Sequence, residues 1–238
     1  PAAASGHQLA SEAVAAAGHF GNTTAGSNRS VQYDIVSAPG LDPDSYLSNG
    51  FCAWHDWNGD TSLSGGAASS PYGPVAFTNM PYLLDAGASC GENFVTAGSA
   101  GTLDGFSVVN GHEFAETVTD QEPGLGWYNQ TASSYSGQEN GDECAWLRSG
   151  SGAAADVNTA DGSFAMQSTW SNDTNACAIS HPVVTGGTGS ADTVTVTNPG
   201  TQSTRRDTSA SLPITASDSA SGQALTYAAS GLPTGLKI

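Results

Sequence analysis

Residues 104–120, DGFSVVNGHEFAETVTD, decide how this chain is read. Phe106, Val108 and Val109 lead into a run with Phe114, Ala115 and Val118 at apolar helical positions, which predicts a helix over at least His112 to Val118 that packs those side chains inward. Residues four apart on a helix share a face, so His112 and Glu116 stand side by side with Glu113 next to them. Working outward, Ser5 to His19 sets Leu9, Ala13, Val14 and Ala17 at helical spacing behind a serine suited to capping, and predicts a first helix. Val31 to Ser37, VQYDIVS, alternates apolar and polar residues and reads as a strand, as does Pro74 to Met80, PVAFTNM. Thr61 to Pro71 is a surface loop by its Gly and Ser content. Near Thr185 the composition shifts. GGTGSAD reads as a flexible linker over 185–192, and TVTVTNPG, ASLPITASDS and ALTYAASGLP beyond it alternate at period two, the pattern of a small β-sandwich over 193–238. The order of helix, strand, edge-like strand and motif helix over 1–184 predicts an α+β domain of zincin-like plan.

The charge balance narrows the partners. In 238 residues, 22 Asp and Glu face 5 Lys and Arg, a net charge of −17. So few scattered cations cannot neutralise phosphates or anionic headgroups, so nucleic acid and membrane surfaces are not expected partners. No apolar run approaches the roughly 20 residues that cross a bilayer. Charged residues make up only 11%, so few carboxylates are available to protonate as pH falls, which suits a secreted, acid-tolerant protein. Cys52, Cys90, Cys144 and Cys177 include no CxxC pair and suit two disulfides in an oxidising compartment, with three connectivities open on counting alone. The start at Pro1, without a basic and apolar leader, reads as a mature form. Asn22, Asn28, Asn129 and Asn172 head glycosylation sequons.

His112, Glu113 and Glu116 form H-E-x-x-E, close to the H-E-x-x-H helix of zinc peptidases. His112 and Glu116 can hold one metal while Glu113 polarises a bound water. A third ligand is expected some twenty-odd residues downstream, where Glu139 lies; Asp120 and Asp142 are further candidates as ligands or as their hydrogen-bond partners. The bland reading is an acidic helix showing His and Glu to solvent. Against it, the chain holds seven Glu in all, and three fall in the proposed site. A carboxylate in place of a second histidine lessens proton competition for metal at low pH, at the cost of a weaker Lewis acid. Asp56, Asn58 and Asp60 give a faint calcium-loop pattern without its distal glutamate, against an ordinary Asx-rich turn. Trp127, Tyr128, Trp146 and Trp170 line either a groove or the core, and His181 reads as structural. There is no Gly-x-Ser-x-Gly elbow and no phosphate-cradling Gly-Lys-Ser/Thr loop.

Five stretches in order, FCAWHDW (51–57), HEFAETVTD (112–120), GWYN (126–129), QENGDEC (138–144) and FAMQSTWSNDTNAC (164–177), resemble the plant phosphate-induced, or exordium-like, family and its bacterial relatives. The resemblance covers roughly Phe51 to Cys177. It implies an extracellular protein with Cys144 bridged to Cys177 and Cys52 to Cys90, and makes His55 a pocket wall or transition-state donor. Asn140 and Gly141, where the family has Ile and Ala, and the charged Glu143 depart from its pattern. VTVTNPG, SGQALTY and GLPTGL resemble immunoglobulin-like modules of secreted bacterial enzymes, cut short here, which serve as spacers or as weak binders of cell wall or carbohydrate. The reading that follows is a secreted zinc peptidase acting on protein or peptide substrates. His112, Glu116 and Glu139 bind the metal, Glu113 is general base, and His55 or Tyr128 stabilises the oxyanion. Two alternatives stand beside it. One is a noncatalytic binding or signalling protein on the same scaffold. The other is a metal-free acid peptidase pairing Glu113 or Glu116 with Gln138 or Glu139.

Overall fold

Ser5 opens the first helix of the computed structural model, α1 (Gly6–His19): its hydroxyl accepts the Gln8 N–H while the Gln8 side chain accepts the Ser5 N–H. This reciprocal cap satisfies two amides that a helix start leaves free. The structure describes residues 3–131, 133–172, 174–180, 194–201, 203, 211–218 and 227. It divides into two compact units, Pro1–Ser180 and His181–Ile238.

In the first unit α1 buries Leu9, Ala10, Ala13 and Ala17 against Tyr33, Val75 and Phe77. Small alanines let helix and sheet approach closely, and burial of Leu9 alone is worth about 2 kcal/mol. A short helix α2 (Ala25–Asn28), capped by Thr24, leads to β1 (Gln32–Val36). After α3 (Tyr46–Asn49) come β2 (Trp54–Trp57) and β3 (Ala76–Met80). They form a three-stranded sheet in the order β1-β3-β2. The central strand β3 is buried throughout, runs parallel to β1, and pairs antiparallel with β2 so that His55 lies opposite Thr78. The stretch expected as surface loop, Thr61 to Pro71, is an irregular and largely exposed segment that also sends Leu63 and Ala68 into the α1 core.

The helix that decided the reading is α4 (Asp104–Thr119), packed against β2, β3 and the later strand Gly162–Met166. The Asp104 carboxylate accepts the Val95 and Thr96 N–H groups at its start. Gly105 is required there, because a Cβ would lie 2.1 Å from the Cys90 carbonyl oxygen. The facing of α4 corrects the sequence expectation. Phe114 is 57% and Val118 67% exposed, whereas Glu113, Glu116 and Thr117 are buried. His55 from β2 compensates the buried carboxylates, which the helical period cannot register.

Two hairpins complete the unit: β4 (Ala155–Thr159) with β5 (Gly162–Met166), and β6 (Thr169–Ser171) with β7 (Ala176–Ala178). Disulfides join Cys52 to Cys90 and Cys144 to Cys177, the pairing implied by the resemblance. By the loop-closure relation, bridges spanning 38 and 33 residues each contribute about 3–4 kcal/mol. Of the sequons, Asn28 is fully buried and donates to the Asn22 and Thr24 carbonyls, and Asn129 donates to Glu143.

In the second unit β8 (Val194–Val196) pairs antiparallel with β9 (Ala216–Asp218). These strands fall in the VTVTNPG and PITASDS stretches. The expected linker 185–192, His181 and most of the ALTYAASGLP segment lie outside the described residues. No helix among the described residues is long and apolar enough to cross a membrane.

Candidate metal centre

Three pieces of chain converge on one face of α4. The helix presents His112, Glu113 and Glu116, the edge strand β2 presents His55, and the turn 138–144 presents Glu139 and Asp142. The return of that turn is built by polar side chains. Asp120 ends the helix, its carboxylate accepting the Gly124 and Gly126 N–H groups. Asn140 then donates to the Ala115 carbonyl and the Thr119 hydroxyl, laying the turn on α4. Next to it Gly141 passes so close that a Cβ would sit 2.8 Å from Glu116 Oε1 and 3.1 Å from the His112 ring. Asn140 and Gly141 are thus the residues that seat the loop on α4. Gly141→Ala is expected to leave the fold intact, since the backbone there is ordinary αR, but to push Glu116 and His112 apart. Metal affinity measured by competition with a chromogenic chelator should fall about 10-fold or more; unchanged affinity would show that Gly141 is not needed for the spacing.

The histidine tautomers follow from their partners. Gln167 donates through Nε2 to the Gly141 and Ser168 carbonyls, which turns its Oε1 to His112 Nδ1 at 3.2 Å. His112 therefore carries its hydrogen on Nδ1, and Nε2 faces Glu116 Oε1 at 3.0 Å and Asp142 Oδ1 at 3.5 Å. Two ligands about 2.05 Å from a tetrahedral zinc lie about 3.3 Å apart, so this trio fits a divalent ion in both spacing and donor type. The Asp142 N–H donates to Glu116 Oε1 at 3.0 Å and fixes that carboxylate. On the sheet side His55 Nε2 stands 3.1 Å from the Asp120 carbonyl, while Nδ1 lies 3.5 Å from Glu113 Oε2 and 3.5 Å from Glu116 Oε2.

Burial and charge compete at every member of this cluster. For His55, burial favours the neutral ring, but Glu113, Glu116 and Glu139 outweigh it and raise the pKa to about 10. Burial opposes charge on His112 too, yet Asp142 and Glu116 hold it well above the usual imidazole range. Burial alone would raise Glu116, but the two histidines pull it down to about 2. Glu113 is raised by burial despite His55, and Glu139 is raised by burial to about 8. Without a metal the cluster therefore keeps protons where a cation fits.

Asp142, rather than Glu139, completes the group with His112 and Glu116. Glu139 instead approaches His55 Nε2 at 3.7 Å. Asp120 uses its carboxylate in the turn and only its carbonyl toward the site. Tyr128 is half-buried, and among the described residues no hydrogen bond or ion pair ties it to the cluster. A cavity of about 180 Å³ lined by Phe51, Cys52, Val109, His112, Glu113 and Trp146 opens onto the group. Trp146 holds φ at 61°, an unusual strain for a bulky residue, at that rim. A larger apolar cleft of about 820 Å³, lined by Leu103, Phe114 and Phe164, contains none of the candidate residues. Trp170 bonds Asn172 and Asn140 rather than a groove. At the faint calcium pattern, Asp56, Asn58 and Asp60 accept backbone N–H groups from Trp57, Val75 and Ser62, as an Asx-rich turn does. Gln167 was not anticipated; its one signal was an amide between the apolar residues and the Trp of FAMQSTW.

Comparisons with protein-family models, with curated proteins and with solved structures find no match to this chain.

Proposed function

We propose that this chain is a secreted metal-dependent peptidase, with a zincin-like first unit and an immunoglobulin-like second unit that serves as a spacer or a weak contact to cell wall or carbohydrate. The observation that carries the reading is the His112 Nε2, Glu116 Oε1 and Asp142 Oδ1 trio, within 4.8 Å of one another, with the other ring nitrogen of His112 held by Gln167. A divalent cation such as zinc, when bound there, acidifies water and polarises a scissile carbonyl. Glu113 lines the same cavity as His112 and takes the proton from the attacking water, then returns it to the leaving amine. His55 holds Glu113 and Glu116 in place. Both of its nitrogens face protein oxygens, so His55 orients the carboxylates rather than the oxyanion. The two disulfides support an oxidising, extracellular setting, and a chain of net charge −17 points to neutral or cationic protein substrates rather than nucleic acid.

The test is hydrolysis of a denatured protein substrate before and after dialysis against a chelator. Activity should vanish on chelation, return with zinc, and be lost in Asp142→Asn. Undiminished cleavage in excess chelator would sink the reading and favour a carboxyl peptidase. A folded chain that takes up no metal and cleaves nothing would favour the binding or signalling alternative.

A further inference from the structure

We propose that the buried cluster behind this centre is a second cation site, so that the chain holds a pair of divalent ions with the Glu116 carboxylate between them. The second set of ligand atoms is His55 Nδ1, Glu113 Oε2 and Glu116 Oε2, all buried and within 4.8 Å of one another. Glu116 turns its other oxygen, Oε1, to His112, so one carboxylate is shared by the two sets. The inference rests on the metal reading of the first centre, because Glu116 is common to both.

The His55 ring is oriented to take an ion. A backbone carbonyl only accepts, so Nε2, 3.1 Å from the Asp120 oxygen, carries the ring hydrogen and leaves the Nδ1 lone pair aimed at two carboxylates. This is the arrangement in which a metal-binding histidine is oriented by a carbonyl behind it. Both carboxylate oxygens stand at 3.5 Å, close to the roughly 3.3 Å that separates two ligands of one tetrahedral ion.

Glu113 is equally enclosed. Its side chain is only 6% exposed, and the one ion pair that reaches its carboxylate among the described residues is the 3.5 Å contact with His55 Nδ1. A carboxylate this buried requires compensating positive charge. Glu113, Glu116, Glu139 and Asp142 bring four carboxylates to the cluster, a donor set rich enough in oxygen for two ions. One imidazole with carboxylate oxygens suits zinc or manganese rather than a soft ion. Glu113 binds through Oε2 and keeps its other oxygen for the proton it accepts in the first reading.

The deciding experiment strips the full chain with chelator, titrates it with manganese(II), and reads bound metal by elemental analysis and its electronic state by paramagnetic resonance. Two manganese ions per chain are expected, with a spin-coupled spectrum at full loading in place of the signal of isolated ions. His55→Gln and Asp142→Asn should each halve the bound metal and abolish the coupling. One ion per chain, uncoupled, lost in Asp142→Asn and indifferent to His55→Gln, overturns the second site and leaves the first standing. No bound manganese or zinc in a folded chain overturns both. The wild-type stoichiometry and coupling decide the matter even where His55→Gln fails to fold.

Discussion

Replacing Glu116 by alanine is expected to empty the centre, lower hydrolysis by more than about 100-fold, and destabilise the metal-free protein by about 3–5 kcal/mol. The catalytic estimate is a lower bound, since losing a partner that merely orients a ligand already costs about 10–100-fold. The stability loss has a separate cause. Near pH 5 both His55 and His112 carry charge in the metal-free fold, because their pKa values are raised to about 10 and well above the ordinary value. Glu116 contacts both, at 3.5 Å and 3.0 Å, and its removal deprives each of a carboxylate partner. Urea unfolding at pH 5 with chelator present reads the second effect, and elemental analysis reads the first. Glu12→Ala, on the exposed face of α1, should produce neither. Wild-type metal content in Glu116→Ala would rule out Glu116 as a ligand.

The metal-free protein should be most stable in mild acid and lose stability steadily toward alkaline pH. His55 has its pKa raised from 6.5 to about 10, so its contribution is complete below about pH 6.5 and disappears as pH rises through 10. Glu139 is raised from 4.5 to about 8. Across that interval the folded chain keeps a proton that the unfolded chain releases, so stability again falls as pH rises. Glu116 is depressed from 4.5 to about 2, and its contribution is lost only as pH falls below 4.5. Each unshared proton is worth about 1.4 kcal/mol per pH unit, and the slope is steepest between pH 6.5 and 8, where His55 and Glu139 act together. Saturating zinc displaces these protons, so its binding tightens as pH rises and opposes the loss. Urea midpoints at pH 4.5, 7 and 9, with chelator and with zinc, provide the check. A metal-free midpoint that rises from pH 4.5 to 9 would contradict the proton inventory of the cluster.

Local pattern carried part of this structure and no more. The capping serine and the Leu9, Ala13, Ala17 spacing announce α1, and the alternation of VQYDIVS announces β1. The H-E-x-x-E spacing places three site residues on one helix. The same segment misled about its facing, because Phe114 and Val118 lie in the open while Glu113 and Glu116 are inside. What stabilises those carboxylates is His55, 58 residues before Glu113, on an edge strand whose four residues, WHDW, show no clean alternation. The choice of Asp142 over Glu139 is likewise invisible to spacing. It depends on Asn140 and Gly141 seating the turn so that Asp142, rather than Glu139, comes into line with His112 and Glu116. Gln167 sits on a hairpin link whose role appears only once Gly141 and His112 flank it.

The bridge between Cys144 and Cys177 bears on the same turn. It anchors the turn that carries Asp142, two residues before Cys144, to the β6–β7 hairpin. With the two thiols reduced, the turn loses this anchor and Asp142 is held less firmly beside His112 and Glu116. Closing the bridge therefore couples the redox state of the surroundings to the geometry of the cluster.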